Sequence, residues 1–383
     1  MIEKKGKSMN ILMMLANSFT HDPRVYNEAR SLIKAGHNVT VLGWDRKKAN
    51  PPKDVKDGIT VVRSYNTKFM NLLPYDIFKL HLWWNKGYKD ASELYKKNSF
   101  DIIHCHDFNT LPIGVKLKKK YGLPLIYDAH EIWGYMVEKD LPKWWADYYL
   151  KKEKRIIRYV DRVITVNEPL RKYYSKITHK PITIIMNCKQ LQDTKYEPPN
   201  NDKFTLLYLG GLDKSRFLLE LVNVVKELPD VHCIIGGIGK PEYVKILKYK
   251  CSQVQNVNFI GKVPMEKVLP ITKKADVVVC MLDPINKNSR VGLPNKVFEA
   301  AVCGRPLIIT EGLYYEKIVV EKERYGLAIQ HTKEGLRDAI IKLRDNPILC
   351  EELGRNALKV AIEEFNWIRQ EEKLMKVYKD LEK

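Results

Sequence analysis

The sequence predicts an α/β protein with two doubly wound parallel-sheet domains in succession. Its 383 residues exceed what a single core usually holds. Short apolar strands alternate with amphipathic helices along the chain, the pattern of a parallel sheet covered by helices. The alternation stops at a segment with two prolines and two asparagines, and then starts again. We therefore predict domains at 1–190 and 203–365, joined by a linker at 191–202.

The first domain starts with an apolar strand at 9–15 and a helix at 23–34, which has Pro23 in its first turn. Strand, loop, helix and strand joined this tightly begin a doubly wound sheet, and such sheets bind ligands beyond the carboxyl ends of their strands. Asp22 and Arg24 follow the first strand and are therefore candidate ligand-binding residues. Further strands are predicted at 38–42, 59–63, 100–106, 123–127, 163–166 and 182–185.

Two histidines follow neighbouring strands of this predicted sheet. His106 ends one strand and precedes Asp107 and a helix predicted from Leu111, whereas His130 follows the next strand. Because the carboxyl ends of parallel strands share one edge, both imidazoles are predicted to face one cleft. A purely structural role is the alternative, and no HExxH pattern indicates a metal.

The second domain repeats the alternation of strands and helices. Gly210 and Gly211 are predicted to form a turn, and Arg216 then places a permanent cation at the start of a helix at 217–228. The glycine-rich segment 236–240 is predicted to be another turn, a weak phosphate signal by itself. The strands are predicted at 204–209, 231–235, 257–260, 277–281, 307–310 and 327–329.

Residues 288–309 predict a loop, a helix and a strand. The loop and the helix N-cap are assigned to Gly292, Leu293, Pro294 and Asn295. Free N–H groups at a helix start attract anions. Lys296 adds a charge there that is unfavourable for the helix alone, and Glu299 can accept hydrogen bonds from vicinal hydroxyls such as those of a ribose. The segment predicts a site for an anionic ligand, with an ordinary amphipathic segment as the alternative.

The charge is concentrated in the first half of the chain. The formal net charge is +20, of which residues 1–190 carry +16 (35 Lys and Arg against 19 Asp and Glu) and the remainder +4 (31 against 27). A half of the chain with this excess of positive charge is typical of proteins that bind a phosphorylated substrate or an anionic membrane surface. The alternative is that the charge serves solubility only. Four tryptophans in basic segments suit an acceptor groove or a lipid interface, with burial in the core as the alternative, namely Trp83, Trp84, Trp144 and Trp145. No recognised RNA motif occurs, so no nucleic acid partner is expected.

Several classes of protein are disfavoured by what the sequence lacks. No apolar run approaches the roughly 18–20 residues that span a bilayer, and the apolar stretch 11–16 is too short for a signal-peptide core. We expect a cytoplasmic protein, attached at most peripherally to the inner face of a membrane. Seven isolated cysteines without CxxC are typical of reduced thiols. No Asp-x-Asp occurs, and neither a metal nor another cofactor is expected.

Six segments, taken together in their order and spacing, are a specific signal, although no one of them is specific by itself. They are HDPRVYNEARSLIKAGHNVTVL, DIIHCHDFNTLPIG, YDAHEIW, VDRVITVNEPLRKYY, YLGGLDKSR and GLPNKVFEAAVCGRPLI. With them, nearly the whole chain resembles a retaining glycosyltransferase of family 4, in its LPNK-type subgroup. The resemblance implies the GT-B architecture, two Rossmann-like domains facing a cleft, with a C-terminal helix at 366–383 that crosses back to the first domain.

The resemblance further implies a hexosyltransferase-type reaction that takes a sugar from a nucleotide-diphosphate donor and retains its anomeric configuration. The acceptor would be a sugar or a lipid-linked or cell-surface glycan precursor. The implied donor-binding residues are Arg216, Lys296, Glu299, Asn295, Gly292, Leu293, Gly210 and Gly211. The implied catalytic residues are His130 and His106, and the acceptor-side candidates are Asp22, Arg24 and Asp107.

Two positions depart from the family pattern. The first glutamate of the family's Glu–seven residues–Glu motif falls at Val291, and an arginine usual beside the glycines falls at Gly211. Two other classes of function therefore stay open. One is a sugar-nucleotide 2-epimerase or a phosphorylase on the same scaffold, and the other is a non-catalytic basic binding module. A dehydrogenase is disfavoured because no GxGxxG follows the first strand.

Overall fold

The computed structural model of the chain describes residues 8–20, 22–138 and 140–382. Residues 1–186 and 370–383 form one compact unit, and residues 187–369 form the other. The segment predicted as a linker, 191–202, contains neither helix nor strand and is assigned to the second unit. The chain thus returns to its first unit at the C-terminal end.

The first unit is built on an eight-stranded sheet. Its strands are β1 (Asn10–Leu15), β2 (Asn38–Asp45), β3 (Lys53–Lys56), β4 (Ile59–Tyr65), β5 (Ile102–His106), β6 (Leu125–Ala129), β7 (Arg162–Thr165) and β8 (Ile182–Ile184). The spatial order is β3-β4-β2-β1-β5-β6-β7-β8, and only the pairing of β3 with β4 is antiparallel. Every residue of β5 and β6 is buried, as expected for strands covered on both faces.

Helices connect these strands. They are α1 (Pro23–Lys34), α2 (Lys68–Leu72), α3 (Asp76–Asn98), α4 (Asp107–Tyr121), α5 (Trp133–Val137), α6 (Lys143–Ile156) and α7 (Glu168–Ser175). The predicted bounds of α1 are confirmed at both ends. Its start is specified locally, since Asp22 accepts a hydrogen bond from the Val25 amide at 3.1 Å and Pro23 occupies the first turn.

The second unit is built on a six-stranded parallel sheet. Its strands are β9 (Phe204–Leu212), β10 (Val231–Gly239), β11 (Val257–Gly261), β12 (Val277–Cys280), β13 (Leu307–Thr310) and β14 (Gly326–Ile329), in the spatial order β11-β10-β9-β12-β13-β14. Its helices are α8 (Leu218–Lys226), α9 (Pro241–Ser252), α10 (Met265–Lys273), α11 (Lys287–Val291), α12 (Asn295–Val302), α13 (Tyr314–Glu316), α14 (Lys333–Arg344) and α15 (Pro347–Glu363). The last helix, α16 (Trp367–Lys379), ends within the first unit.

The predicted glycine turns are wrong, because both glycine-rich segments belong to strands. Strands β9 and β10 continue to Leu212 and Gly239, and Gly210 pairs with Gly237. A Cβ atom on Gly237 would lie 1.7 Å from the Gly210 carbonyl oxygen, and the φ angle of Gly237 is +146°. The glycines therefore permit two backbones to approach more closely than side chains would allow.

Two predicted helix starts are also wrong. Helix α4 begins at Asp107 rather than Leu111, so that Pro112 lies in its second turn instead of the first turn that proline favours. In α12 the extended residue before the helix is Pro294, and Asn295 is the first helical residue instead of the N-cap. The side chain of Asn295 accepts a hydrogen bond from Asn187 Nδ2 at 2.8 Å, so it does not cap the helix.

Two of the four tryptophans assigned to a groove or interface belong to the core. The exposed fractions of Trp83 and Trp84 are 0% and 5%. Trp83 stacks on Trp44 with ring centroids 4.7 Å apart and donates a hydrogen bond to Ser64 Oγ at 3.1 Å. The core alternative therefore holds for this pair, whereas Trp144 is 61% exposed. Among the described residues, no helix combines the length and hydropathy that crossing a membrane requires.

Candidate functional site

Asp128, near the carboxyl end of β6, is the centre of a buried ionic cluster in the first unit. Arg24 donates two hydrogen bonds to its carboxylate, from Nε at 2.9 Å and from Nη2 at 2.8 Å. Arg24 also lies 3.1 Å from Glu28 and donates to the Ile185 carbonyl at 2.8 Å. Burial alone would raise the pKa of Asp128, but Arg24 and His130 hold it well below its usual value. Asp128 is therefore an anion around which cationic groups are arranged.

The two predicted histidines are brought together on this carboxylate. His106 Nδ1 lies 3.3 Å and His130 Nε2 3.1 Å from Asp128 Oδ2, and the ring centroids are 5.7 Å apart. Asp107 completes the arrangement, because its carboxylate lies 3.2 Å from His130 Nδ1 and accepts a hydrogen bond from the His130 amide at 3.1 Å. The His130 side chain is 23% exposed, whereas that of His106 is 2% exposed. His130 is therefore the histidine that a ligand can reach.

The protonation state of His130 follows from its two carboxylate neighbours. Burial would lower its pKa, but Asp107 and Asp128 raise the pKa well above the usual histidine value. The two carboxylates therefore favour the imidazolium form of the ring, in which both nitrogens are donors. Such a group can donate hydrogen bonds or stabilise negative charge, but it cannot accept a proton.

The acceptor-side candidates have different environments. Asp22 caps α1 and also accepts a hydrogen bond from Asn17 Nδ2 at 2.9 Å. Arg24 is only 3% exposed, and its guanidinium is engaged by Asp128 and Glu28. Asp107, at 29% exposed, is the most accessible carboxylate of the cluster. Of these three residues, Asp107 is thus the one best placed to meet a ligand directly.

Sequence reasoning missed four members of the cluster: Asp128, Glu28, His104 and Tyr378. His104 stacks on His106 with centroids 4.3 Å apart, and its Nδ1 shares a 2.8 Å hydrogen bond with the Tyr378 hydroxyl. A signal for His104 was available, because residues two apart on a strand point to the same face. Tyr378 lies 274 residues away, and no local pattern indicates that contact.

The cluster also contains a set of groups with metal-ligand spacing. One atom each from Glu28, His104, His106 and Asp128 lies within 4.8 Å of the others. Arg24 already lies against both carboxylates, and the pKa of Glu28 is raised well above its usual value by burial and by Asp128. The negative charge that would attract a cation is therefore largely compensated by protein groups.

In the second unit, two cations surround Tyr208 of β9. Lys296, in the first turn of α12, is 8% exposed, and its ammonium lies 4.2 Å from the Tyr208 ring centroid. Burial raises the pKa of Tyr208, while Lys296 and Arg216 lower it, so both positive charges act at this phenol. No carboxylate of the described residues lies within 4 Å of the Lys296 ammonium. The charge of Lys296 is thus available to an anionic ligand.

Arg216 is positioned by the short turn that follows β9. Asp213 accepts a hydrogen bond from the Ser215 amide at 2.9 Å, which forms a 3₁₀ turn at Lys214–Arg216, and Asp213 Oδ2 lies 3.2 Å from Arg216 Nε. Burial would lower the pKa of Arg216, but Tyr208 and Asp213 raise it. Arg216 therefore keeps its charge beside Tyr208.

The predicted donor-binding glycines do not form a turn, and their effect comes from the room that a missing side chain leaves. A Cβ atom on Gly210 would lie 2.5 Å from Lys296 Nζ, so the missing side chain leaves room for the ammonium. The Gly211 carbonyl accepts a hydrogen bond from the Tyr208 hydroxyl at 2.5 Å. Gly292 ends α11, and a Cβ atom there would lie 2.8 Å from the Asn288 carbonyl oxygen. Leu293, which follows Gly292, is half-buried.

Glu299 lies one turn after Lys296 but has a partner of its own. Its Oε1 lies 3.3 Å from Lys189 Nζ, and both side chains are 13% exposed. Helix α12 thus presents a cation toward Tyr208 and a lysine-paired carboxylate one turn later. Tyr208 and Lys189 were not predicted from the sequence. Tyr208 begins the glycine-containing segment YLGGLDKSR, but no pattern marks it as a site residue, and Lys189 belongs to no charge or glycine pattern.

Comparison with known families decides the classification. A model described as Glycosyltransferase Family 4 matches residues 24–189, and one described as Glycosyl transferases group 1 matches residues 203–346. The chain belongs to glycosyltransferase family 4. It is therefore a glycosyltransferase, and the predicted family is confirmed.

Curated relatives of this glycosyltransferase are distant but extend over most of its length. An uncharacterized glycosyltransferase of Methanocaldococcus jannaschii is 22% identical and covers 80% of each chain. A D-inositol 3-phosphate glycosyltransferase of Acidothermus cellulolyticus is also 22% identical, over 92% of this chain and 83% of its own.

Solved structures confirm the predicted GT-B fold with two Rossmann-like domains. Sucrose-phosphate synthase of Thermosynechococcus elongatus superposes with a TM-score of 0.78 at 18% identity, over 97% of this chain and 99% of its own. HepE of Anabaena, solved in complex with UDP-glucose, gives a TM-score of 0.72 at 14% identity, over 97% and 100%. At such identities the likeness concerns the fold alone.

Proposed function

We propose that this glycosyltransferase moves a sugar from a nucleotide-diphosphate donor to an acceptor with retention of anomeric configuration and without a metal ion. The observation that carries the proposal is the pair of cations, Lys296 and Arg216, around Tyr208 in the second domain. A leaving nucleotide diphosphate gains negative charge as the glycosidic bond breaks, and preorganised cations stabilise that charge most effectively. The UDP-glucose complex of the Anabaena relative supports a nucleotide sugar as donor.

The donor is proposed to lie along the start of α12. Lys296 and Arg216 meet the diphosphate, and the free amides of this helix start add positive partial charge. Glu299 accepts hydrogen bonds from the ribose hydroxyls, and its Oε1 also lies 3.3 Å from the Lys189 ammonium. Val291 stands where the family's first glutamate would be, so the sugar itself is held by backbone groups near Gly292 and Leu293.

In the first domain, His130 is the proposed catalytic residue that reaches the transferred sugar. As an imidazolium it would donate a hydrogen bond to a sugar hydroxyl, and it does not act as a base. His106 is assigned to the acceptor side. Its Nδ1 contacts Asp128 Oδ2 and so helps to orient that carboxylate. Asp107, paired with His130, is the proposed contact for the acceptor.

Retention is proposed to follow a front-face course. Retaining glycosidases use a carboxylate nucleophile beside a second carboxyl group about 5–5.5 Å away. Here Asp128 is engaged by Arg24 and Asp107 by His130, so we assign no covalent nucleophile. The acceptor then attacks from the face that the diphosphate leaves, and the leaving phosphate accepts the acceptor's proton.

The acceptor is proposed to be a lipid-linked or cell-surface glycan precursor, with the protein held at the inner face of a membrane. The +16 charge of residues 1–190 supports this, because lipid-linked acceptors lie at anionic surfaces. The exposed aromatic side chains of the first domain support it as well.

The test is a thermal-shift and calorimetric panel of UDP-, GDP- and ADP-sugars in the presence of EDTA. A ligand bound only by the folded state raises the melting temperature by mass action, so at least one donor is expected to stabilise the protein without metal. Removing a charge-assisted contact costs about 1.5–3 kcal/mol. Arg216→Ala and Glu299→Ala are therefore each expected to weaken donor binding about 10- to 100-fold.

Arg337→Ala is the matched control, since Arg337 is a surface residue of the same domain that pairs with Glu227. It is expected to bind the donor like the wild type. Wild-type affinity in both Arg216→Ala and Glu299→Ala would remove the site assignment, and no binding of any donor would remove the proposal. Conversion of a donor in the absence of any acceptor would indicate an epimerase instead, and an inverted anomeric centre in the product would exclude retention.

A further inference from the structure

A cavity of about 420 Å³ lies between helices α3, α4 and α6 of the first domain and shares no residue with the Asp128 cluster. Lys116 of α4 and Lys152 of α6 line it, together with Trp84 of α3. The Lys152 ammonium lies 3.9 Å from the Trp84 ring centroid, a cation–π contact. The cavity therefore combines two positive charges with an aromatic wall.

Both lysines of this cavity have neutral partners. Lys116 donates a hydrogen bond to Asn85 Oδ1 at 2.7 Å, and Lys152 donates one to the Tyr148 hydroxyl at 3.0 Å. In the described part of the chain no carboxylate lies within 4 Å of either ammonium. Burial makes the larger contribution to lowering the pKa of Lys116, and the positive charge of Lys152 lowers it further. Two cations that repel each other in this way favour an anion between them.

An exposed aromatic surface continues from this cavity. Ring contacts run from Tyr75 to Phe78 at 6.0 Å, from Phe78 to Trp145 at 6.1 Å, and from Trp145 to Trp144 at 4.6 Å and to Tyr148 at 6.0 Å. Tyr148 also lines the cavity. The exposed fractions of Tyr75 and Trp144 are 62% and 61%, far above those of core aromatics. We call these five residues the aromatic surface.

We propose that the aromatic surface docks onto an anionic lipid bilayer and that the neighbouring cavity receives a lipid phosphate between Lys116 and Lys152. Tryptophan and tyrosine insert at the level of lipid headgroups, and lysines beside them meet anionic lipids. The cores of protein–protein interfaces are also aromatic, but they are depleted in lysine. The pairing of aromatic and lysine side chains therefore favours a membrane over a protein partner. This docking rests on the proposed peripheral attachment and specifies the face and the residues that make it.

The experiment is flotation of the full-length protein with vesicles of phosphatidylcholine alone and of phosphatidylcholine with phosphatidylglycerol. We expect the wild type to float with the anionic vesicles only. Each basic residue near an anionic surface contributes about 1 kcal/mol, and 1.4 kcal/mol corresponds to about tenfold. The double variant Lys116→Gln/Lys152→Gln is therefore expected to lower vesicle partitioning about 30-fold, and Trp144→Ser is expected to weaken it as well.

Lys203→Gln/Lys226→Gln is the charge-matched control, because these two lysines line a cavity of about 510 Å³ in the second domain that has no Trp, Tyr or Phe. Ile348→Ser matches Trp144→Ser, since Ile348 is 80% exposed in the second domain. Both controls are expected to float like the wild type.

Three results would overturn the proposal. The wild type could stay in the soluble fraction with anionic vesicles. The two double-lysine variants could lose partitioning equally, which would indicate net charge alone. Stabilisation by inorganic phosphate that depends on Lys116 and Lys152, without vesicle binding, would indicate a free-anion site. Because donor binding is expected to be unchanged in Lys116→Gln/Lys152→Gln, failure here is distinct from failure of the proposed reaction.

Discussion

His130 is held between Asp107 and Asp128, and its protonation is the residue property that the proposed chemistry depends on. Two carboxylates within 3.2 Å outweigh the effect of burial and raise its pKa. A histidine in this setting can act by charge and by hydrogen-bond donation.

We expect an NMR titration of labelled histidines to place the pKa of His130 above 6.5. The neighbouring charges predict that Asp107→Asn lowers that pKa. His232 is the internal reference in the same spectra, because burial and Lys203 lower its pKa instead of raising it. Titration of His130 below 6.5 would contradict the assignment.

The same shift predicts how stability depends on pH. Because the folded pKa of His130 is above its unfolded value, its contribution to stability is fully present below about pH 6.5. The contribution is lost as the pH rises through the folded pKa. Denaturant unfolding of the wild type and of His130→Gln across this window measures the difference, which is expected to shrink as the pH rises.

Glu153 is a second residue whose protonation affects stability. It is fully buried in α6, and burial raises its pKa to about 7 although Tyr127 and Tyr174 donate hydrogen bonds to it. The unfolded chain ionises this group from about pH 4.5, so the folded state loses stability as the pH rises from there to about 7. Glu153→Gln is expected to stabilise the protein by at most roughly 3 kcal/mol at pH 8, and by much less at pH 5.

Denaturant unfolding at both pH values measures this effect. The exposed Glu93→Gln in α3 is the control and is expected to change stability little at either pH. If Glu153→Gln destabilised the protein equally at pH 5 and pH 8, the carboxylate would be ionised in the folded state.

At the scale of elements, the proposed donor site is a junction between strand β9 and helix α12. The absence of a Cβ atom on Gly210 of β9 leaves the space that the Lys296 ammonium fills. The helix contributes the charge and the strand contributes the room for it. A site of this kind depends on backbone geometry as much as on side chains.

This junction predicts different outcomes for two adjacent glycines. A Cβ atom on Gly210 would lie 2.5 Å from Lys296 Nζ, whereas on Gly211 it would meet only Asp213 Oδ2, at 3.9 Å. Gly210→Ala is therefore expected to displace the ammonium and, because the φ angle of Gly210 is +151°, to strain the backbone, so that donor binding weakens about tenfold or more. Gly211→Ala is the control and is expected to bind the donor normally. Calorimetry on folded protein, verified by circular dichroism, measures both, and equal affinities would contradict the junction model.

At the scale of the whole molecule, the C-terminal residues complete the first domain. Leu374, Val377 and Tyr378 of α16 are at most 3% exposed, and Gln370 accepts a hydrogen bond from the Met186 amide at 3.0 Å. Tyr378 reaches the Asp128 cluster through His104. These residues of α16 therefore belong to the core of the first domain.

Deletion of residues 370–383 is expected to unfold the first domain while the second keeps its fold. Burying one large apolar side chain contributes about 1.5–3 kcal/mol, so losing three exceeds the margin of many domains. Scanning calorimetry and limited proteolysis measure the loss. Tyr378→Phe, which removes only the hydroxyl, is expected to cost about 1 kcal/mol, and a fully folded first domain in the deletion would contradict the prediction.

The sequence by itself determined the fold class, most strands, the strand-end histidines and the charged start of α12. These features are readable because they depend on local periodicity and on residues that are close in the chain. The bounds of α1 and β13 were predicted at both ends for this reason. The family resemblance then supplied roles for residues that periodicity alone leaves unassigned.

The tertiary structure alone decided which groups meet. Arg24 reaches Asp128 across 104 residues, and His104 reaches Tyr378 across 274. It also decided that Trp83 is core and Trp144 exposed, and that Gly210 makes room for Lys296. The physical reason is that strand order and packing set these contacts, and neither is encoded in any short stretch of the chain.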